Sequence, residues 1–245
     1  MNSAPSLGHI LKSAIFAGLL AAAITAGFHS LATEPIIDEA IALEEARGAM
    51  DVHVEEEAAV SRPAQKLGLI LGYGLYAVTL GMLFAAAYHG GRRLVPSTSE
   101  AVRSLWLSAT AFACIGLLPM LKYPANPPGV GDPATIDARQ AAYLALLGFA
   151  VVTGAASLLA ARVGGRSLAT AIPAAAGVLL LGGLLLFFGL PANTDEITVR
   201  GELLTRFRVM SLVGVTLFWL VFAAGFTWLV TQRPQRRRAA APSPA

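Results

Sequence analysis

Six runs of about 20 apolar residues constrain this chain more than any other feature, because a helix of that length crosses a hydrocarbon core of about 30 Å. Inside a bilayer the backbone must satisfy its own hydrogen bonds, so each run is expected to be a helix. The composition agrees, since only 13% of the residues are charged. We therefore predict an all-α integral membrane protein with about six transmembrane helices. The runs are Ile10–Ala32, Leu67–Tyr88, Ser104–Leu121, Ala141–Ala161, Leu168–Leu190 and Val209–Val230.

The chain is predicted to be one multipass membrane domain over residues 1–231, followed by a basic, disordered cytoplasmic tail over residues 232–245. Two polar connections stand out, an acidic external loop over 33–66 and a proline-rich external loop over 122–139. In the first, Glu34-Pro35 is typical of a helix start, and the apolar spacing that follows predicts an amphipathic helix to about Arg47.

The central segment Lys122–Pro133 cannot be helical for most of its length, because its prolines remove backbone donors and favour extended geometry in the residues before them. We predict that it folds back over the external mouth of the helix bundle; the alternative is a rigid spacer between two helices.

Gly68 and Gly72 form a small-xxx-small pattern, which predicts close packing between helices of this chain.

The distribution of charge predicts the topology. All but one of the 15 acidic residues lie on one side of the predicted spans, and the exception is Glu100. The short connections on the side of the termini are rich in basic residues, which favours cytoplasmic termini in the plasma (inner) membrane. The same assignment explains the net charge of +3 without a nucleic-acid partner. The first run is too long for a signal peptide, so it is expected to remain a membrane helix.

Metal-capable side chains gather near the predicted outer surface: His29, Glu34, Asp38 and His53. Imidazole suits borderline divalent metals such as cobalt, nickel and zinc. Other interpretations stay open, since His53 and its acidic neighbours fit a solvated linker, His29 a helix-end histidine bonded to a carbonyl, and Glu34 a helix cap. Phosphate-binding and hydrolase motifs do not occur in the sequence, which disfavours an enzyme. We expect no tightly bound cofactor.

Over nearly its full length the chain resembles the CbtA-type cobalt transporter subunits. The resemblance is carried by HSLATEPIIDEA, in which the first span ends and the acidic loop begins, by KYPANPPGVGDP in the central loop and by FRVMSLVGVTLFWLVFA in the last span. It implies uptake of cobalt(II) linked to cobalamin synthesis, together with a small, single-span, histidine-bearing CbtB-like partner. The alternative is a non-transporting membrane scaffold or chaperone that binds a metal-carrying partner subunit.

Overall fold

The computed structural model describes residues 4–48, 61–95, 97, 99–128, 130–165, 167–193, 197 and 199–232. Most of these residues are helical. The α-helices are α1 (Leu7–Ala32), α2 (Glu34–Gly48), α3 (Arg62–Gly91), α4 (Glu100–Ala111), α5 (Leu118–Lys122), α6 (Ile136–Val163), α7 (Leu168–Gly189) and α8 (Gly201–Thr231). A π-helical turn over Phe112–Leu117 joins α4 to α5, and a 3₁₀ turn over Pro133–Thr135 precedes α6.

Six segments of the described chain are long and apolar enough to cross a membrane, which confirms the predicted architecture. They are α1, α3, the continuous segment Glu100–Lys122, α6, α7 and α8. The helices extend beyond the apolar runs, since α3 begins at Arg62 and α8 at Gly201. These extensions carry charged side chains, so we expect them to lie at the polar boundary of the bilayer rather than in its hydrocarbon core.

The predicted acidic loop over 33–66 is largely helical where the structure describes it. As the sequence predicts, α2 starts at Glu34, and only Thr33 separates it from α1. Pro35 explains the break, because it has no N–H with which to continue the hydrogen-bond ladder of α1. The apolar side of α2 packs through Ile36 and Ala40 against the first turns of α8.

Small residues bring α1 and α3 into close contact at the centre of the bundle. A Cβ added to Gly18 would lie 2.8 Å from the carbonyl oxygen of Ala77, and one added to Gly81 would lie 3.1 Å from that of Ala14. Such close backbone approach is typical of helix packing in lipid. The prediction for Gly68 and Gly72 is wrong in this respect, since no atom lies within 4 Å of a Cβ added to either.

A row of aromatic rings on α8 completes this core. Phe218, Phe222 and Phe226 are four residues apart, so they share one face of the helix. Phe84 of α3 packs edge-on between the last two, at centroid distances of 4.9 and 5.0 Å. Tyr88 meets Phe226 edge-on at 4.9 Å. Together, α1, α3 and α8 form the main core, against which α4 packs through Leu107.

The third span carries the π-helical turn just before Pro119, where the N–H of Leu118 donates to the carbonyl of Ala113, five residues earlier. A proline inside a helix cannot donate and crowds the carbonyl four residues before it, so a wider turn relieves the strain. The turn packs Gly116 against Trp219 of α8 and Cys114 against Gly154 of α6. Cys114 is buried and free, as expected of a small apolar side chain.

The central loop lies at the end of the bundle where α2 is found, against the start of α8 and the end of α7. Ala125 and Val130 pack on the apolar cluster between α2 and the start of α8. Asn126 accepts a hydrogen bond from Arg208 at 2.8 Å. Lys122 donates to the carbonyls of Phe187 and Leu190 at the end of α7. We call this end of the bundle the α2 side. That this loop covers the external mouth of a metal path stays a prediction.

We expect Gly18→Ala to lower the free energy of unfolding in detergent by about 1–3 kcal/mol, because the new methyl group must push two helix backbones apart. Gly27→Ala is the matched control: it lies in the same helix with nothing within 4 Å of the added Cβ. Alanine is favoured over glycine in helices by about 1 kcal/mol, so the control should be neutral or stabilising. Equal stability of the two variants would contradict the proposed α1–α3 contact.

Candidate functional site

A polar stripe runs along the buried face of α1. Thr25, His29 and Thr33 are four residues apart and therefore lie one above the other on the helix. All three are buried, although they belong to or adjoin a membrane span. The stripe connects the α2 side of the protein with the interior of the bundle. Polar groups in such positions are expensive in lipid and are commonly functional.

The ring of His29 is held on several sides. Its Nδ1 lies 2.7 Å from the hydroxyl of Thr33. Tyr73 of α3 stacks on the ring at a centroid distance of 5.8 Å. The Nε2 edge faces Gly214 of α8, where an added Cβ would overlap Nε2 and Cε1. The missing side chain at Gly214 therefore makes the space for the imidazole, and the contact between Nδ1 and the Thr33 hydroxyl fixes its orientation in the structure.

Two acidic and two basic side chains form a network beside this stripe. Glu34 and Asp38 lie one turn apart on α2, and Arg62 and Lys66 lie one turn apart on α3. Arg62 Nη2 is 2.8 Å from Glu34 Oε2, and its Nε donates to Asp38 Oδ1 at 3.1 Å. Lys66 Nζ lies 3.2 Å from Asp38 Oδ2 and 3.7 Å from Glu34 Oε2. The network joins α2 to the start of α3 and is neutral as a whole.

Hydrogen bonds from Arg62, and then from Lys66, lower the pKa of the Asp38 carboxyl below its usual 3.8. A lowered pKa in the folded state means that the contact stabilises the fold above the ordinary pKa of the carboxyl and loses this contribution only as the pH falls through the lowered value. Asp38 is therefore ionised at neutral pH. Its exposure to solvent keeps the contribution of the contact to stability small.

The structure brings some of the predicted metal ligands together and not others. Glu34 and Asp38 converge, but on Arg62 and Lys66, while the hydrogen bond of His29 goes to Thr33. In the part of the chain that the structure describes, no group of three His, Cys, Asp or Glu side chains is arranged to hold a metal ion. His53 lies outside the described residues. A metal site at His29, Glu34 and Asp38 thus stays a prediction, which requires the two carboxylates to exchange their basic partners for the metal, and metal binding by His53 stays a separate prediction.

A cavity of about 370 Å³ lies beside His29, between α1, α3 and α8. Its walls include Tyr73 and Gly214, both of which contact the imidazole. Thr25 also lines it, and within the described residues its buried hydroxyl has no hydrogen-bond partner. Sequence reasoning missed Tyr73, Gly214, Arg62 and Lys66, since none of them belongs to a local motif with His29.

A second polar cluster lies at the opposite end of the bundle. Glu100 accepts hydrogen bonds from Tyr88 at 2.7 Å and from Arg103 at 2.6 Å. One turn further into α4, the hydroxyl of Ser104 lies 2.8 Å from that of Thr227 on α8. Glu100, the one acidic residue on the side of the predicted termini, thus connects α3 to α4. We assign this cluster a structural role.

The fold and this site define a multipass helical membrane protein with an oriented, buried imidazole beside a network of charges. A family model described as "Probable cobalt transporter subunit (CbtA)" matches residues 7–231. Because the match covers nearly the whole chain, the chain belongs to the CbtA family, which is described as a probable cobalt transporter subunit. The curated proteins and the solved structures contain no match to the chain.

Gly214→Ala should displace the imidazole of His29, because the new methyl group takes its place. We expect a loss of about 1–3 kcal/mol in the free energy of unfolding, as for other overpacked sites. Modification of His29 by diethyl pyrocarbonate, read by mass spectrometry, should increase. His89 is exposed and serves as the internal reference. Gly74→Ala, with nothing within 4 Å of its Cβ, is the matched control. If His29 reacts equally in both variants, the ring does not depend on Gly214.

Proposed function

We propose that this chain is the membrane subunit of a cobalt(II) uptake system that supplies cobalamin synthesis. The observation that carries the proposal is the buried imidazole of His29, oriented by Thr33 and close in sequence to two carboxylates on α2. Membership of the CbtA family supports cobalt as the transported ion. We further propose that both termini are cytoplasmic, so that the α2 side faces outward, and that a small, single-span, histidine-bearing CbtB-like subunit is the partner.

Negative charge provides the first step in the capture of cobalt. The acidic residues of α2 and of the segment that follows attract cations to the outer surface. Arg62 and Lys66 hold Glu34 and Asp38 in the structure. A cobalt(II) ion carries the same charge as the two basic side chains together, so the exchange leaves the charge at the carboxylates balanced.

His29 is the ligand that favours cobalt over harder ions, because imidazole suits borderline metals while carboxylates alone suit magnesium and calcium. Its Nδ1 points toward Thr33, which directly precedes Glu34. Cobalt bound at Nδ1 would replace the hydrogen bond to Thr33 and lie toward the carboxylates. One imidazole and two carboxylates make a weak, open site. A transport path needs such a site, since the ion must leave as readily as it enters.

Uptake of radioactive cobalt by right-side-out membrane vesicles tests the proposal, first with this chain alone and then with the partner. At limiting cobalt, we expect His29→Ala to reduce uptake by about tenfold, a typical loss when a metal site is disturbed. His89→Ala is the matched control and should transport like the parent. It changes an exposed histidine in the last turn of α3, at the end of the bundle opposite the α2 side. Asp38→Asn should also reduce uptake, because it removes charge and keeps the shape. Membrane abundance of each variant is measured alongside.

Lys66→Met should act in the opposite direction and lower the cobalt concentration needed for half-maximal uptake, because it removes a cation that competes for Asp38 and Glu34. Parental uptake in both His29→Ala and Asp38→Asn would refute the site. If vesicles with chain and partner take up no cobalt, the chain is instead a scaffold or chaperone for a metal-carrying partner.

A further inference from the structure

Two glycines in the first half of α3 pack against no other part of the described chain. Gly68 and Gly72 lie one turn apart, both are exposed, and nothing lies within 4 Å of a Cβ added to either. They form one wall of the cavity of about 370 Å³, and α8 forms the other through Gly214, Val215, Phe218 and Trp219. We call this feature the glycine groove. Gly72 is ten residues into α3, or about 15 Å along its axis, so the groove lies within the membrane span.

The groove also contains an unmet hydrogen-bonding group. Thr25 lines it and is fully buried, and its hydroxyl has no partner within the described residues. A buried hydroxyl without a hydrogen bond costs free energy, and hydrocarbon offers it neither donor nor acceptor. A lipid tail could fill the volume of the groove but would leave this group unsatisfied. The occupant therefore needs both a narrow apolar surface and a polar side chain.

We infer that the glycine groove is the docking site for a transmembrane helix of a partner subunit. That helix would place small residues against Gly68 and Gly72, where backbones can approach closely, and a hydrogen-bonding side chain against Thr25. The family description of the chain as a subunit calls for a partner, and the groove is a surface in the membrane on which one fits.

The docked helix would also lie beside His29. Tyr73 lines the groove and stacks on the imidazole, and Gly214 faces both the groove and the Nε2 edge of the ring. A metal-binding side chain of the partner could then reach the neighbourhood of His29 from within the membrane. This part rests on the proposed cobalt transport, whereas the docking rests only on the proposed single-span partner.

Energy transfer between fluorophores tests the docking, with the full chain and the proposed single-span partner reconstituted together in lipid nanodiscs without cobalt. Nothing lies within 4 Å of a Cβ added to Gly72, so we expect Gly72→Leu to fold like the parent while its side chain occupies the groove. It should bind the partner at least about tenfold more weakly. Gly177→Leu is the matched control, an exposed glycine on α7 with nothing within 4 Å, and should bind normally. Thr25→Val, which removes only the hydroxyl, should weaken binding by roughly threefold.

Each other outcome overturns the inference. If the partner does not bind the parent, or binds the parent and Gly72→Leu equally, the groove is not its docking site. If Gly72→Leu instead abolishes energy transfer between two labelled copies of this chain, the groove is a homodimer interface. Because no cobalt is present, docking can succeed while cobalt uptake fails, and the two proposals are judged separately.

Discussion

The close contact between α1 and α3 is the interaction on which the rest of the structure depends. Gly18 and Gly81 remove the side chains that would keep the two backbones apart, so α1 can lie in the interior of the bundle. Its polar stripe would otherwise face lipid, where Thr25 and His29 would be costly. Packing by small residues, rather than the hydrophobic effect, provides this stability, because hydrocarbon is as apolar as the helices themselves. The position of the imidazole is a consequence of that packing.

The charged network on the α2 side combines two roles. Glu34 is buried, and a buried carboxylate needs a partner, which Arg62 supplies at 2.8 Å. Breaking such a pair by removing one partner is costly, whereas exchanging the partner for another cation preserves the balance of charge. The same contacts that fix α2 to α3 thus also hold the two carboxylates side by side, where a divalent ion could replace the basic side chains. Asp38 is more exposed than Glu34, so we expect it to exchange first.

The sequence predicted the parts of this protein that depend on local pattern. Apolar runs located all six spans, and Glu34-Pro35 located the start of α2, because both features act over a few turns of helix. The unsuccessful prediction concerned Gly68 and Gly72, since a small-xxx-small pattern shows that close packing is possible but not which helix supplies the partner. Contacts between distant parts of the chain could not be predicted in the same way. Gly214 makes space for His29 from the last span, and no local signal in the sequence connects the two residues.

X-ray absorption at the cobalt edge, measured on the purified chain in lipid nanodiscs, tests the central claim most directly. Cobalt(II) bound to the parent should have one imidazole nitrogen among mainly carboxylate oxygens, and His53→Ala should keep this signal. In His29→Gln, which retains a hydrogen-bonding side chain, the imidazole contribution should disappear. An unchanged imidazole signal in His29→Gln, or its loss in His53→Ala alone, would contradict the assignment of His29 as the ligand within the membrane.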